Sequence, residues 1–493
     1  MKPYDLLIIG GGINGAAIAR DAAGRGLSVL LVEQGDLAGA TSSASTKLIH
    51  GGLRYLEYYE FRLVREALIE REVMLRSAPH IIWPLDFVLP YAKHLRPRWM
   101  IRLGLFLYDH LGGRQRLPKS RSIRLTDEPE GAPLRDDCRS GFVYSDCWVD
   151  DARLVVLNAM DAAARGAEIA TRMACTGLRR QERLWHATLE KNGGESREVW
   201  ARVLVNAAGP WAGHVRALAE GGAYARVLRL VKGSHFIVPK LYDGDHAYIF
   251  QNPDNRVVFA IPYEDRFTLI GTTEVDFDGD PHDARISEDE IDYLVGAVGA
   301  YFRVPVRKQD IVWSYAGVRP LYDDEQADAS AVTRDYVLQL SGEGTKAPLM
   351  SVLGGKITTS RRLAEHVMEK LSARMDWPDE AWTKEAHFPG GDLQTDGVPA
   401  FLQEMAARYP WLPLAVLHRW VRSYGTLIDD VVGDATDLSG LGVEIVPGLF
   451  AAEVEYLRRA EWAETAEDIL WRRTKLGLHA GPDAADELAA YLR

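Results

Sequence analysis

The stretch Leu6-Leu7-Ile8-Ile9-Gly10-Gly11-Gly12-Ile13-Asn14-Gly15 decides the reading of this chain, together with the acid Glu33 that closes a second apolar run at 27–32. An apolar strand runs into glycines at the positions where a βαβ dinucleotide motif needs them. Gly10 allows the tight turn out of the strand, Gly12 lets a pyrophosphate approach bare backbone, and Gly15 lets the following helix lie close to the sheet. The Ala-rich segment 13–23 is expected to be that helix, stopped at Gly24 and Gly26, with its free N–H groups facing the phosphates. Glu33 falls about 20 residues beyond the glycines, where a carboxylate accepts hydrogen bonds from ribose hydroxyls. The fingerprint predicts a dinucleotide site in a Rossmann-type α/β domain; it does not separate FAD from NAD.

At 493 residues the chain exceeds a single core and suggests two or three domains. Apolar residues at 47% and charged residues at 26% are ordinary globular values. The three cysteines, Cys138, Cys147 and Cys175, form no C-x-x-C pair and cannot supply the four thiolates of an iron–sulfur cluster. No metal site is expected, and a flavin-like dinucleotide is the redox centre the residues support. The odd, sparse cysteine count fits a reducing compartment, and the first strand begins so close to Met1 that no signal peptide is expected. No run of eighteen apolar residues offers a bilayer span, so a cytosol-facing protein is expected.

A formal charge of −12 argues against a nucleic-acid partner, which would require a basic footprint. The segment 93–124 runs against this balance. Lys93, Arg96, Arg98, Arg102, Arg114, Arg116, Lys119, Arg121 and Arg124 face Asp109 as the one acid, and they bracket Trp99, Met100, Ile101, Leu103, Leu105, Phe106, Leu107 and Tyr108. The pattern fits an interfacial helix whose apolar bodies sink into lipid headgroups while arginines meet anionic lipid. It fits equally a core-facing amphipathic helix with a solvated basic rim.

Signals of the first fold type return downstream. Asp150 or Asp151 is placed to cap a helix at 152–165, followed by a short strand at 167–169. An apolar strand at 201–205 runs into Asn206-Ala207-Ala208-Gly209-Pro210, whose small residues let a bulky ligand lie against backbone. A third return is Met350-Ser351-Val352-Leu353-Gly354-Gly355-Lys356, with a helix from Thr358 through Lys370. Between them, 227–340 is strand-rich, with expected strands at 234–238, 247–250, 256–261, 267–271 and 336–340. This reads as an antiparallel sheet inserted into a discontinuous nucleotide domain, roofing the site where two domains meet. Beyond Pro389-Gly390-Gly391 the chain turns helical, with helices expected at 400–408, 414–423 and 451–471 and no catalytic motif. The expected division is a nucleotide domain over 1–72, 142–226 and 335–388, a cap and membrane-facing domain over 73–141 and 227–334, and a C-terminal helical domain over 389–493.

The run Thr41-Ser-Ser-Ala-Ser-Thr-Lys-Leu-Ile-His-Gly-Gly-Leu-Arg-Tyr-Leu-Glu57 resembles the FAD-dependent respiratory glycerol-3-phosphate dehydrogenases. GFVYSDCWVDDARL from Gly141, VKGSHFIV from Val231, LIGTTE from Leu269, AGVRPL from Ala316, GGKITT from Gly354 and WRRTKL from Trp471 look like that family's signatures in its order. Ser360-Arg361 departs from it, since the family usually carries an aromatic before the arginine. The resemblance implies a glutathione-reductase-type FAD domain, an antiparallel cap and an all-helical C-terminal domain. It also implies oxidation of glycerol 3-phosphate to dihydroxyacetone phosphate with electrons passed to membrane quinone, at the cytoplasmic side of the inner membrane and as a peripheral protein, possible homodimers included.

Such a reaction needs a cationic clamp for phosphate, a proton acceptor, and donors that fix a non-covalent FAD. For the clamp the candidates are Arg54, Arg319, Arg334 and Lys356, of which the last three match positions the family places around substrate; Tyr55 and Thr272 match further contacts. For the proton, His235 is expected on the substrate side and His50 in a flavin-side role, with Arg319 stabilising alkoxide charge. The cofactor set comprises Gly10, Gly12, Asn14, Gly15 and Glu33; Thr41, Ser42, Ser45, Lys47, Leu48, His50 and Gly51; Ala208, Gly209 and Trp211; and Gly355, Lys356 and Thr358. Lys47 or Lys356 is expected near the ring's N1–O2 edge. The competing expectation is an FAD-dependent 2-hydroxy-acid or amine oxidase that clamps a carboxylate and yields hydrogen peroxide; a non-catalytic or nucleic-acid-modifying flavoprotein is disfavoured by the acidic balance.

Overall fold

The structure, a computed structural model, describes residues 2–113, 116–191, 193–221, 228–322, 335–344, 346–393 and 397–493. Arg114 and Arg334, singled out above, and residue 227, where the strand-rich stretch was taken to begin, lie outside the described residues.

The opening motif forms strand Tyr4–Ile9, helix Ile13–Gly24 and strand Val29–Val32. The strand order of the first sheet is Val337–Ser341, Leu349–Leu353, Ser196–Asn206, Tyr4–Ile9, Val29–Val32 and Glu168–Ala170. All these neighbours are parallel except Val337–Ser341, which runs antiparallel to Leu349–Leu353. Alternate residues of the first strand serve opposite faces, as period-two side chains must. Leu6 and Ile8 pack with the helices Ile13–Gly24, Asp151–Ala164 and Ser360–Met375, while Leu7 and Ile9 pack with Trp185, Leu189 and Val215. Trp185 and Leu189 belong to an antiparallel hairpin, Met173–Gln181 with Leu184–Lys191, which extends the sheet from Ser196–Asn206 and which the sequence reading did not contain.

The second sheet runs in the order Val275–Asp276, Leu228–Pro239, Phe267–Gly271, Val257–Tyr263, Ala247–Gln251, Ile82–Pro90, Gly141–Val149 and Leu48–Ile49, with Trp313–Tyr322 also paired to Leu228–Pro239. It is antiparallel apart from the junction of Ala247–Gln251 with Ile82–Pro90. Two expectations are corrected here. Residues 142–149, allotted to the nucleotide domain, pair with Ile82–Pro90 in the second sheet. Every residue of that strand is buried, so no polar face marked its partner, and it enters the nucleotide domain only at the Asp150 cap, whose side chain accepts from Arg153 N. The strand read at 336–340 as part of the inserted sheet pairs in the first sheet, in keeping with the 335–388 bound of the nucleotide domain, because the short connection to Leu349–Leu353 folds it back as a hairpin.

The C-terminal part is mostly helical, with its own core around Leu417, Trp420, Val454 and Leu457 and one small hairpin, Glu444–Val446 with Leu449–Phe450. The single helix expected at 451–471 is broken. Ala451–Glu461 ends where Trp462 takes a left-handed conformation with φ of 55°. The chain resumes as a π-helical segment, Asp468–Arg473, opened by Asp468, whose carboxylate accepts from Glu464 N and Thr465 N at 2.8 Å each. Among the described residues no helix is long and apolar enough to cross a membrane.

Candidate active site

Parallel register builds the first half of the site. Ile9 stands opposite Val32 on one side and Asn206 on the other, so Gly10, Glu33 and Ala207 emerge side by side at the carboxyl ends of three strands. Gly10 has φ of 113°, and a β-carbon there would lie 2.5 Å from Ala207 O; one on Gly15 would lie 1.9 Å from Gly10 O. Neither position holds a side chain without opening the turn. Glu33 accepts from Gly11 N at 2.7 Å and Gly35 N at 2.8 Å. Burial pushes its carboxyl above the ordinary range, against the pull of these two amides. The acid therefore braces the glycine turn besides presenting a carboxylate at the strand end. Ala208, Gly209 and Trp211 follow the Ser196–Asn206 strand at the same edge, where the Trp211 ring packs 4.4 Å from that of His282.

The hydroxyl-rich loop after Glu33 closes over this edge. Ser42 Oγ accepts from Ile13 N at 3.0 Å, and Thr41 Oγ1 donates to Val318 O at 2.7 Å. Asn14 Nδ2 donates to Gly354 O at 3.1 Å, stitching the glycine turn to Gly354-Gly355, while its Oδ1 is buried without a hydrogen-bond partner among the described residues. Lys47, expected near the flavin ring, is buried and turned into an ion pair with Asp151 at 2.7 Å and a bond to Ser43 O at 3.0 Å. It is absent from the cavity wall. Gly51 N donates to Tyr108 Oη at 2.8 Å, and Tyr108 in turn donates to Asp146 at 2.7 Å, so the turn after His50 is pinned by the Arg98–Leu111 helix.

A cavity of about 650 Å³ opens between the two sheets. Thr41, Ser42, Ser45, Leu48, Gly355 and Thr358 line one part of it, and His50, Arg54, Tyr55, Thr272, Arg319 and Lys356 bring polar groups to it. Arg319 Nη2 donates to Thr272 Oγ1 at 2.9 Å, with Nη1 3.6 Å from Glu274. Lys356 Nζ stands 4.0 Å above the Tyr55 ring. Gly233 makes room for this group, since a β-carbon there would lie 2.7 Å from Arg319 Nη2. The sequence reading missed Glu274, Gln251 and Arg256, which also reach the wall.

His50 faces the cavity, whereas His235 does not. His235 is 1% exposed, its Nε2 hydrogen-bonded to Thr46 Oγ1 at 3.0 Å and its ring stacked 4.9 Å from Tyr315. Thr46 stands between it and the open space. Burial, with the nearby Arg319 and Lys47 cations, holds this imidazole neutral far below its usual range. Glu57, Arg96 and Asp335 also line the cavity, and much of the remaining wall is apolar. Leu53, Leu56, Ile101, Leu103 and Leu107 carry it out to the Arg98–Leu111 helix, whose Trp99, Leu103 and Phe106 are 66%, 50% and 51% exposed.

Comparison with known proteins bears on this arrangement. Residues 5–361 match the family described as FAD dependent oxidoreductase, and 381–493 match the C-terminal domain of alpha-glycerophosphate oxidase. Glycerol-3-phosphate dehydrogenase of Pseudomonas aeruginosa is 55% identical over 99% of this chain and 95% of its own length. The chain belongs to the FAD-dependent glycerol-3-phosphate dehydrogenases. The aerobic glycerol-3-phosphate dehydrogenase of Escherichia coli is 48% identical over the full chain and 98% of its own length, and D-erythritol 1-phosphate dehydrogenase of Brucella abortus is 53% identical over 96% of the chain and 95% of its own length. Among solved structures, glycerol-3-phosphate dehydrogenase from Bacillus halodurans complexed with FAD superposes with a TM-score of 0.76 at 27% identity, covering 96% of this chain and 86% of that one.

The residues present fit the family's cofactor. Gly10 and Gly15 leave a cradle that β-carbons would fill, Asn14 Oδ1 is a buried acceptor awaiting a donor, and the cavity is wide enough for a ring system beside its hydroxyl-lined wall. Gly10, Gly12, Gly15 and Glu33 would hold the adenosine and pyrophosphate end. Ser42, Ser45, Gly355 and Thr358 would meet the ribitol and ring, with Lys356 the cation that follows Gly355 on the same wall.

Proposed function

We propose that this flavoprotein oxidises sn-glycerol 3-phosphate to dihydroxyacetone phosphate and passes the electrons to a membrane quinone. The observation that carries the reading is the convergence of Arg54, Arg319 and Lys356 on a cavity that also takes the hydroxyl-rich cofactor loop as wall. Three cations suit a phosphate dianion better than a carboxylate monoanion, and guanidinium forks meet phosphate oxygens two at a time. That chemistry favours a phosphate ester over the 2-hydroxy acids and amines of the competing oxidase reading. Arg334, which the family resemblance places around the substrate, lies outside the described residues. Thr272, fixed by Arg319, and Tyr55, beneath Lys356, offer hydroxyls to the ester and the neighbouring oxygens.

When bound, FAD supplies the acceptor for the C2 hydride. The chain's own residues do the rest. The cationic clamp holds one end of the substrate so that C2 is presented in one orientation, converting binding into positioning. His50, the histidine on the cavity wall, takes the C2 hydroxyl proton. His235 acts behind it by holding the Thr46 hydroxyl, and Arg319 stabilises negative charge as it develops on the C2 oxygen.

Anaerobic addition of glycerol 3-phosphate to the pure holoenzyme is expected to bleach the oxidised flavin absorbance within the turnover time. A flavin left oxidised under saturating substrate would reject the reading. A second reading rests on the 53% identity to an erythritol phosphate dehydrogenase. The same experiment with D-erythritol 1-phosphate separates the two, the faster-bleaching ester being the substrate.

For membrane attachment we propose a peripheral association with the cytoplasmic face of the inner membrane through the Arg98–Leu111 helix, supported by its exposed Trp99, Leu103 and Phe106 beside Arg96, Arg98 and Arg102. Each such cation contributes about 1 kcal/mol near an anionic surface. Binding to anionic vesicles is expected to weaken as salt rises, and substitution of Trp99 and Phe106 by alanine is expected to weaken it further. Equal partition onto neutral and anionic vesicles would count against the charge-driven mode.

A further inference from the structure

The signature Trp471–Leu476 lies in the C-terminal domain and contributes nothing to the cavity wall, yet four of its six residues contact residues of the two sheets' loops and strands that frame the site. The Trp471 ring stacks on Trp313 at 3.7 Å and 12°, on the strand that carries Arg319. Arg473, fully buried, grips Asp36 through two bonds of 2.9 and 2.7 Å, and Arg472 adds a third at 2.6 Å. Lys475 Nζ pairs with Asp150 at 2.5 Å.

Both carboxylates belong to the scaffold of the cradle. Asp36 follows Glu33 by three residues in a loop that packs directly on the glycine turn. Ala38 N donates to Gly11 O at 3.1 Å, and the Leu37 side chain stands 3.0 Å from where a Gly11 β-carbon would be. Asp150 caps the Asp151–Ala164 helix, whose first residue, fully buried Asp151, organises the hydroxyl-rich loop. Its carboxylate accepts from Ser45 N at 3.2 Å, Ser45 Oγ at 2.7 Å and Lys47 Nζ at 2.7 Å. Short charge-assisted bonds to buried carboxylates are strong and geometrically selective, and removing one partner leaves a buried charge uncompensated.

We propose that the segment Trp471–Leu476 is a clamp that keeps FAD in its cradle, with Arg473 and Lys475 as positioning residues acting through Asp36 and through Asp150 beside Asp151. The C-terminal domain thereby has a function although none of its described residues lines the cavity. The 33–47 loop and the glycine turn would hold FAD between them, and the clamp would set how readily that loop lifts.

The test measures FAD affinity of the full-length protein in the absence of substrate, so its outcome is independent of which ester the enzyme oxidises. Asp36→Asn and Lys475→Met are each expected to raise the FAD dissociation constant at least tenfold and to speed flavin release, with lost turnover returning as FAD is raised. Lys475→Arg is expected to recover most of the affinity. If Lys475→Met does not fold, Asp36→Asn and Asp150→Asn decide, since asparagine keeps the shape and, at position 150, the helix cap. Arg419→Lys weakens an ion pair with Glu453 inside the C-terminal domain, and is expected to lower thermal stability without moving FAD affinity. FAD affinity within twofold of wild type in both asparagine variants would overturn the proposal. So would an equal loss in Arg419→Lys, which would mark the effect as general destabilisation.

Discussion

Arg319→Ala is expected to lower turnover about a thousandfold, equivalent to about 4 kcal/mol of transition-state stabilisation, while leaving FAD bound. Arg319 reaches the cavity from the Trp313–Tyr322 strand of the second sheet and donates to Thr272 Oγ1, which belongs neither to the glycine turn nor to the hydroxyl-rich loop. Its loss removes a fork for the phosphate or the developing alkoxide and also releases Thr272 Oγ1, leaving two groups misplaced at once. Arg319→Lys keeps the charge without the fork, so an intermediate rate is expected. Steady-state kinetics together with the flavin spectrum check both parts. Turnover within tenfold of wild type would take Arg319 out of the mechanism, and loss of flavin would mean that the second sheet shapes the cofactor site more than the geometry indicates.

Gly15→Ala is expected to weaken FAD binding about 100-fold or more, roughly 2.7 kcal/mol. The added methyl would sit 1.9 Å from Gly10 O, a backbone atom that cannot swing aside as a side chain could, so the turn that faces the pyrophosphate must open. Gly26→Ala provides the contrast. It sits at positive φ, 81°, but a β-carbon there meets nothing within 4 Å. It should cost about 1 kcal/mol of stability and leave FAD affinity unchanged. Titration of apoenzyme with FAD, read by flavin fluorescence, distinguishes the two. Equal FAD affinity in Gly15→Ala and wild type would show that the close approach of helix to turn is dispensable.

Much of the cofactor half was legible because each feature depends on backbone within a few residues. Gly10 and Gly15 stand where steric limits require glycine, and Glu33, read as a ribose acceptor, accepts from Gly11 N and Gly35 N of the same turn. The substrate half was legible as residue types but not as placement. His235 and His50 both stand in distinctive signatures, yet one is buried behind Thr46 and the other faces the cavity. A histidine beside a glycine carries no local sign of which way its strand will turn its face. Lys47 makes the same point: next to a run of hydroxyls it reads as a cofactor ligand, and Asp151, more than a hundred residues away, claims it instead. Strand partners were equally beyond local rules: 142–149 is buried throughout and has no polar face to indicate its sheet, and 336–340 takes its place only through the hairpin with Leu349–Leu353.

Family, cofactor class and the residue types of the clamp are written in short runs of chain, since a tight turn, a helix start or a phosphate-binding arginine is specified by its immediate neighbours. Which side chains meet across the cavity, and that Arg473 closes on an aspartate 437 residues earlier, emerged from register and domain docking. Those contacts depend on the summed packing of two sheets and a helical domain, where one residue of strand offset reverses every face.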